Sequence, residues 1–374
     1  MEYGLVLAGG GVRGAYHVGV WQALREMRIK ISAISGTSIG AVNGALFAQG
    51  DYAAARRLWE GISINDIVAL PEGIRDENNL FAVKNFAEIF SEIYKNNGLD
   101  MSPLEELLRG VIDEDRLRKS PVDFGVAAFS LTRKSGVCRF KADIPQGKII
   151  EYLMASVSMP GFKRKTIDAD TFMDGAVSNN MPVNMMLDKD IENIITVDVK
   201  GIGVYKSFNL AGRNVISIKC AKPKTGIMEF DREGILRSIN EGYTDCMKAF
   251  GRFKGDIYAF KTADYNRARG KYSEELIRGI ECAASVFDID TQRVYTVKAL
   301  ANLMMSEYEK YAAAAQIKTD SVFEKIRKAD DNAFVTWLVK ALESGGSDFI
   351  KEKMSVLGAN YDAASAILYF KRQK

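Results

Sequence analysis

Short, largely apolar runs punctuate the first 260 residues, at 3–8, 31–35, 122–131, 193–199, 215–219 and 257–260. Runs of that length predict strands buried on both faces. Between several of them the apolar positions recur at helical spacing, over 15–28, 40–49 and 229–250. Strands alternating with helices in this way predict an α/β fold, a mostly parallel central sheet with flanking helices. One helix start is marked by Ser102-Pro103-Leu104-Glu105, which combines a capping box with proline in the first turn.

After about residue 265 the strand pattern gives way to helical stretches, such as 291–315 and 320–342, separated by Gly345-Gly346 and Gly358. The expected division is a domain over 1–265 and a helical C-terminal region over 266–374, whose role the residues leave open. Residues 60–100 are rich in loop signals and are expected to form part of a cap over the preceding helix. A length of 374 residues fits two such units, at a prior of about 150 residues each.

Composition narrows the function less than it narrows the class. With 47% hydrophobic and 26% charged residues the chain is an ordinary globular protein. A net charge of +3 is too small to argue for a nucleic-acid partner. The cysteines (Cys138, Cys220, Cys246, Cys282) are scattered, so reduced buried thiols are expected rather than disulfides or a zinc site. No signal peptide is read at the N-terminus, and no apolar run reaches the roughly 18 residues of a membrane span. The expectation is a cytoplasmic protein that touches membranes at most from the side. Phe334, Trp337, Leu338 and Leu342 follow helical spacing and are expected in a core. Tyr369-Phe370-Lys371-Arg372 reads as a frayed tail more than an interfacial anchor.

Three motifs carry chemistry. Gly9-Gly10-Gly11-Val12-Arg13-Gly14 follows the first strand and opens the first helix, where backbone N–H groups can approach an anion. A dinucleotide would require a carboxylate about 20 residues on, and Ile34-Ser35-Gly36-Thr37-Ser38 supplies none. That leaves an oxyanion. Arg13 is a cation in a first helical turn, more natural beside a developing negative charge than alone.

The second motif, Gly36-Thr37-Ser38-Ile39-Gly40, has the strand–turn–helix context of a nucleophile elbow. A conventional triad would have to draw on His17, the sole histidine, which lies among apolar neighbours Val18, Trp21 and Leu24. The third motif is Asp174-Gly175, a turn signal by default but also a carboxylate at a strand end.

Together with Ala155-Ser156-Val157-Ser158-Met159-Pro160 and Asn180-Met181-Pro182, these motifs resemble the patatin-like phospholipases, serine lipid acyl hydrolases, over roughly residues 3–260. The resemblance implies a catalytic dyad of Ser38 and Asp174 without histidine. It implies an oxyanion hole from Gly9, Gly10 and Gly11 with Arg13 nearby, and an elbow framed by Gly36 and Gly40. It also implies a lipid or acyl-ester substrate, with no metal or other cofactor. Ala176 stands where the family often has a second glycine, and Ala8 where some members have an acidic residue; neither removes a catalytic group. Rival readings are an esterase or thioesterase on soluble acyl substrates and a catalytically silent lipid-binding module. Head group, cleaved acyl position and oligomeric state are left open.

Overall fold

The computed structural model describes residues 1–70, 89, 91, 95–315, 330–345 and 354–373. Most of the expected cap over 60–100, and residues 320–329 of the second long helical stretch, lie outside them. Two compact units divide the chain, Met1–Ala249 and Phe250–Lys374.

In the first unit β1 (Glu2–Leu7) leads through a tight turn to α1 (Ala15–Glu26), then β2 (Lys30–Thr37), α2 (Ile39–Ala48) and α3 (Tyr52–Gly61). There follow α4 (Ser102–Val111), α5 (Glu114–Lys119), β3 (Asp123–Ser130), β4 (Ser135–Phe140) and α6 (Ile149–Val157). The unit closes with β5 (Lys165–Ile167), β6 (Asp170–Asp174), α7 (Asn184–Leu187), β7 (Asn193–Asp198), β8 (Asn214–Lys219) and α8 (Arg232–Ala249). The sheet runs β5-β6-β3-β2-β1-β7-β8, with β4 paired to β3. From β3 to β8 the strands are parallel, whereas β4, β5 and β6 pair antiparallel at one side. The mixed α/β sheet is therefore mostly parallel, as its apolar runs predict.

β1 is buried from Tyr3 to Leu7, as a central strand covered on both faces must be. α2, apolar nearly all round, is buried from Gly40 to Ala48. The expected capping box does not form. Asp100 accepts the Ser102 N–H at 2.8 Å, and Glu105 instead pairs with Arg109 at 2.6 Å and Lys165 at 3.0 Å. Two cations outcompete one backbone donor for a carboxylate. Pro103 stays in the first turn, where its missing N–H costs nothing.

The second unit holds β9 (Phe253–Lys254), β10 (Ala259–Lys261), α9 (Thr262–Arg269), α10 (Glu274–Val286), β11 (Val294–Tyr295), α11 (Val297–Ala314), α12 (Asp331–Glu343) and α13 (Met354–Lys371). The 257–260 run thus supplies β10 of a small sheet ordered β11-β10-β9, not a strand of the large one. The boundary accordingly falls before residue 250 rather than at 265. A four-residue apolar run carries no information about which neighbour will pair with it. Buried Glu281 accepts the N–H groups of Ile257 and Tyr258 at 2.9 and 2.8 Å, fixing this turn onto α10. Phe334, Trp337 and Leu338 are core, with Leu342 packed against it. The terminal residues are not frayed. Phe370 packs edge-on to Tyr272, and Lys371 pairs with Glu343 at 2.6 Å, so α13 continues through them. Among the described residues no helix is long and apolar enough to cross a membrane.

Candidate active site

The C-terminal ends of β1 and β2 meet where open parallel sheets place their ligands. Leu7 pairs with Gly36 in register, so the glycine loop and Ser38 leave adjacent strands at the same level. Ser38 has φ 55° and ψ −128°, left-handed backbone forced on a residue that carries a Cβ. The turn is held from both sides. The Ser38 N–H donates to Ser156 Oγ at 2.8 Å, and that hydroxyl donates to the Ala127 carbonyl at 2.6 Å. Thr37 Oγ1 donates to the Asn179 carbonyl at 2.9 Å. The framing glycines answer a close backbone approach. A Cβ on Gly40 would lie 2.2 Å from the Leu7 carbonyl oxygen, and one on Gly36 would lie 2.3 Å from Gly40 itself.

Asp174 reaches the same point from β6, whose final residue pairs with Ala128 of β3. Ser38 Oγ donates to Asp174 Oδ2 at 2.6 Å, and the Ala176 N–H donates to Oδ1 at 2.8 Å. Serine and aspartate are both buried. Loss of water pushes the Asp174 carboxyl up to about 6, against the opposing pull of its bonds from Ser38 and Ala176. A carboxylate poised near neutrality is a better proton acceptor than one in its ordinary range.

The glycine loop divides its duties. Gly9 is clamped by Asn180: its N–H donates to the Asn180 main-chain carbonyl at 3.1 Å, and Asn180 Nδ2 donates back to the Gly9 carbonyl at 3.2 Å. With its N–H engaged, Gly9 is no longer a free donor, contrary to expectation. The N–H groups of Gly10 and Gly11 have no acceptor among the described residues. Arg13 also departs from expectation. Its guanidinium donates to the Thr225 carbonyl at 3.0 Å and to the Lys200 carbonyl, so it ties two loops together instead of facing Ser38. Arg13 stands in the short 3-10 turn before α1, and carbonyl oxygens rather than an anion receive its N–H groups.

His17 is brought to neither partner of the serine. It is fully buried, its Nδ1 3.2 Å from the Asn43 amide, and Asn43 is itself fixed by Gly14 and Trp59. Burial pushes its pKa down to about 3, so the ring stays neutral. A His17→Ala protein is expected to keep turnover within a few-fold of the parent while losing about 2–4 kcal/mol of stability to the cavity. Steady-state rates below the unfolding transition check the first part and denaturant unfolding the second; a thousandfold rate loss would return His17 to the reaction.

Two cavities converge on Ser38, sharing Gly11 and Met159 in their walls. One is lined by apolar side chains, among them Val42, Trp59, Leu104 and Phe162. The other holds Gly10, Asp174 and Asn180 and reaches Val177 and Ile202 at the surface. Ser156 and Asn180, which stand in the quoted motifs without a role, turn out to brace the elbow and the glycine loop. Their partners lie 118 and 171 residues away in the chain, so no local spacing announces them.

Residues 5–187 match the family model described as patatin-like phospholipase. Over 204 residues the chain is 28% identical to patatin-like phospholipase domain-containing protein 7 of Rattus norvegicus, covering 52% of this chain and 13% of the relative. It is 27% identical over 204 residues to lysophospholipase NTE1 of Kluyveromyces lactis, covering 53% of this chain and 13% of that one. The chain thus spans less than a sixth of the length of these two relatives. A solved structure of VipD from Legionella pneumophila is similar with a TM-score of 0.42 and 14% identity, over 98% of this chain and 89% of that chain.

Proposed function

We propose that this protein, whose residues 5–187 match the patatin-like phospholipase family model, is a serine lipid acyl hydrolase working through a Ser38–Asp174 dyad. The observation that carries the reading is the 2.6 Å bond from Ser38 Oγ to Asp174 Oδ2 at the meeting point of two cavities. Ser38 Oγ attacks the ester carbonyl carbon as Asp174 takes its proton. The carbonyl oxygen, now an anion, is held by the N–H groups of Gly10 and Gly11. Each such donor is commonly worth about 3–4 kcal/mol in the transition state. Asp174 returns the proton to the departing alcohol, and then activates the water that releases the fatty acid. A carboxylate is a weak base for a hydroxyl, so the larger share of the rate falls to these donors.

The apolar cavity suits the acyl chain, because methylene groups gain about 0.8 kcal/mol each on leaving water. The second cavity, with polar groups near Ser38 and an open mouth, suits the alcohol side of the ester. The lysophospholipase among the relatives supports lipid esters over soluble ones. Fatty-acid release from mixed phospholipid vesicles, set beside hydrolysis of a monomeric short-chain ester, tests this. Release from vesicles is expected. Activity on the monomeric ester alone would favour a soluble esterase, and activity on neither would defeat the reading.

A further inference from the structure

Few large apolar side chains of this protein stand exposed among the described residues, and a group of them gathers at one place. Ile202 is 79% exposed, and Val204, Tyr205 and Val177 are exposed beside it. Val177 and Ile202 line the cavity that holds Ser38 and Asp174, and Gly203 in the same wall leads on to Val204 and Tyr205. The segment is pinned, so its exposure is not that of a loose loop. The Val204 N–H donates to the Ala176 carbonyl at 2.8 Å, and the Asn180 N–H donates to the Val204 carbonyl at 2.7 Å. Tyr205 Oη donates to Asp198 at 3.0 Å while accepting from Asn180 Nδ2 at 2.9 Å. An isoleucine held out into water on a fixed backbone calls for an apolar phase to receive it.

Charge says which phase. The run is Lys200-Gly201-Ile202-Gly203-Val204-Tyr205-Lys206, a cation on each side of the apolar residues. From 199 to 213 the chain carries Lys200, Lys206 and Arg213 and no carboxylate, and since Arg213 pairs with Asp190 at 2.6 Å the charge beside the apolar residues is that of the two lysines. Exposed Lys222 stands near, because Lys200 Nζ donates to the neighbouring Ala221 carbonyl. Aliphatic and aromatic groups bordered by lysines match the interface of an anionic lipid leaflet, where tails receive the former and head groups the latter. A second protein copy would set lysine against lysine.

We infer that the Lys200–Lys206 segment docks this protein on an anionic lipid surface, with Ile202 and Val204 entering the acyl region so that the cavity mouth opens onto lipid. The inference rests on the hydrolase reading for its purpose and names where that site meets its substrate. Binding is read by co-flotation of the full chain with vesicles of phosphatidylcholine plus phosphatidylglycerol, against phosphatidylcholine alone. Ile202→Asp is expected to weaken binding to the mixed vesicles about tenfold or more. Lys206→Glu is expected to weaken it about fivefold, an effect that shrinks in high salt. Val204→Asp should also bind poorly while its far-ultraviolet circular dichroism and unfolding midpoint match the parent's, which guards against misfolding. Unchanged binding by Ile202→Asp, or a dimer in sedimentation that Ile202→Asp dissociates, would overturn the inference. A protein that binds vesicles through Ile202 but hydrolyses neither lipid nor monomeric ester would defeat the hydrolase reading instead.

Discussion

Changing Asp174 to asparagine is expected to cut fatty-acid release about a thousandfold or more and, at the same time, to make the protein more stable at pH 8. The first effect is loss of the general base, commonly worth about 10²–10⁴ in rate. The second follows from the burial that tunes it. Asp174 is held at about 6 in the fold, against an ordinary value of 3.8, chiefly because its charged form is denied water. A raised carboxyl pKa contributes stability that is fully present below pH 3.8 and is lost as pH rises through 6. At pH 8 the ionised group therefore costs on the order of 3 kcal/mol relative to a neutral one.

Asparagine is neutral at every pH and can still accept the Ala176 N–H, so it escapes that cost. The variant's unfolding midpoint should exceed the parent's at pH 8, and the gap should close at pH 4. Calorimetry at the two pH values checks it; a midpoint lower at both would mean that the Ser38 and Ala176 bonds outweigh the desolvation. On the proposed mechanism the same ionisation governs activity in the parent protein. Its activity should rise with pH through about 6, where half of Asp174 has become a base.

Ser38→Ala and Ser38→Gly should both lose turnover, by about a millionfold if the dyad acts as a unit. Their stabilities should differ. Alanine keeps a Cβ in the left-handed backbone at φ 55°, ψ −128°, whereas glycine does not. Such strain is worth about 1–3 kcal/mol, reduced by the roughly 0.5–1 kcal/mol of extra chain entropy that glycine loses on folding. Both variants forfeit the hydroxyl bond to Asp174, so the comparison isolates the backbone. Denaturant unfolding should give Ser38→Gly as the more stable by about 1 kcal/mol. Equal stabilities would mean that the elbow holds its nucleophile without strain.

Much of this organisation is legible in one dimension. The runs that form β1, β2, β3 and β7 are rich in apolar residues because a central parallel strand is covered on both faces, and that burial is written directly into residue type, whereas β8 at the sheet edge is largely exposed. The elbow is legible for a related reason: a sharp strand-to-helix turn needs small residues at fixed offsets, and Gly36 and Gly40 stand at them. The short edge strands are less visible. β5, of three residues, takes its conformation from pairing with β6 rather than from a pattern of its own. For the same reason the 257–260 run predicts a strand without saying that it belongs to a separate small sheet.

Within the site, the chain alone brought Ser38 and Asp174 forward as candidates, because each occupies a turn whose geometry demands its neighbours. It could not divide the glycine loop into a clamped Gly9 and open Gly10 and Gly11, nor turn Arg13 away from the serine toward Lys200 and Thr225. Those outcomes depend on which carbonyls the fold brings within hydrogen-bonding distance, and the partners come from segments far along the chain. The pKa of Asp174 is decided in the same way, by the side chains that exclude water from it. Residue type and spacing determine what a backbone can do locally; only packing determines which polar groups remain unpaired and how dry they are.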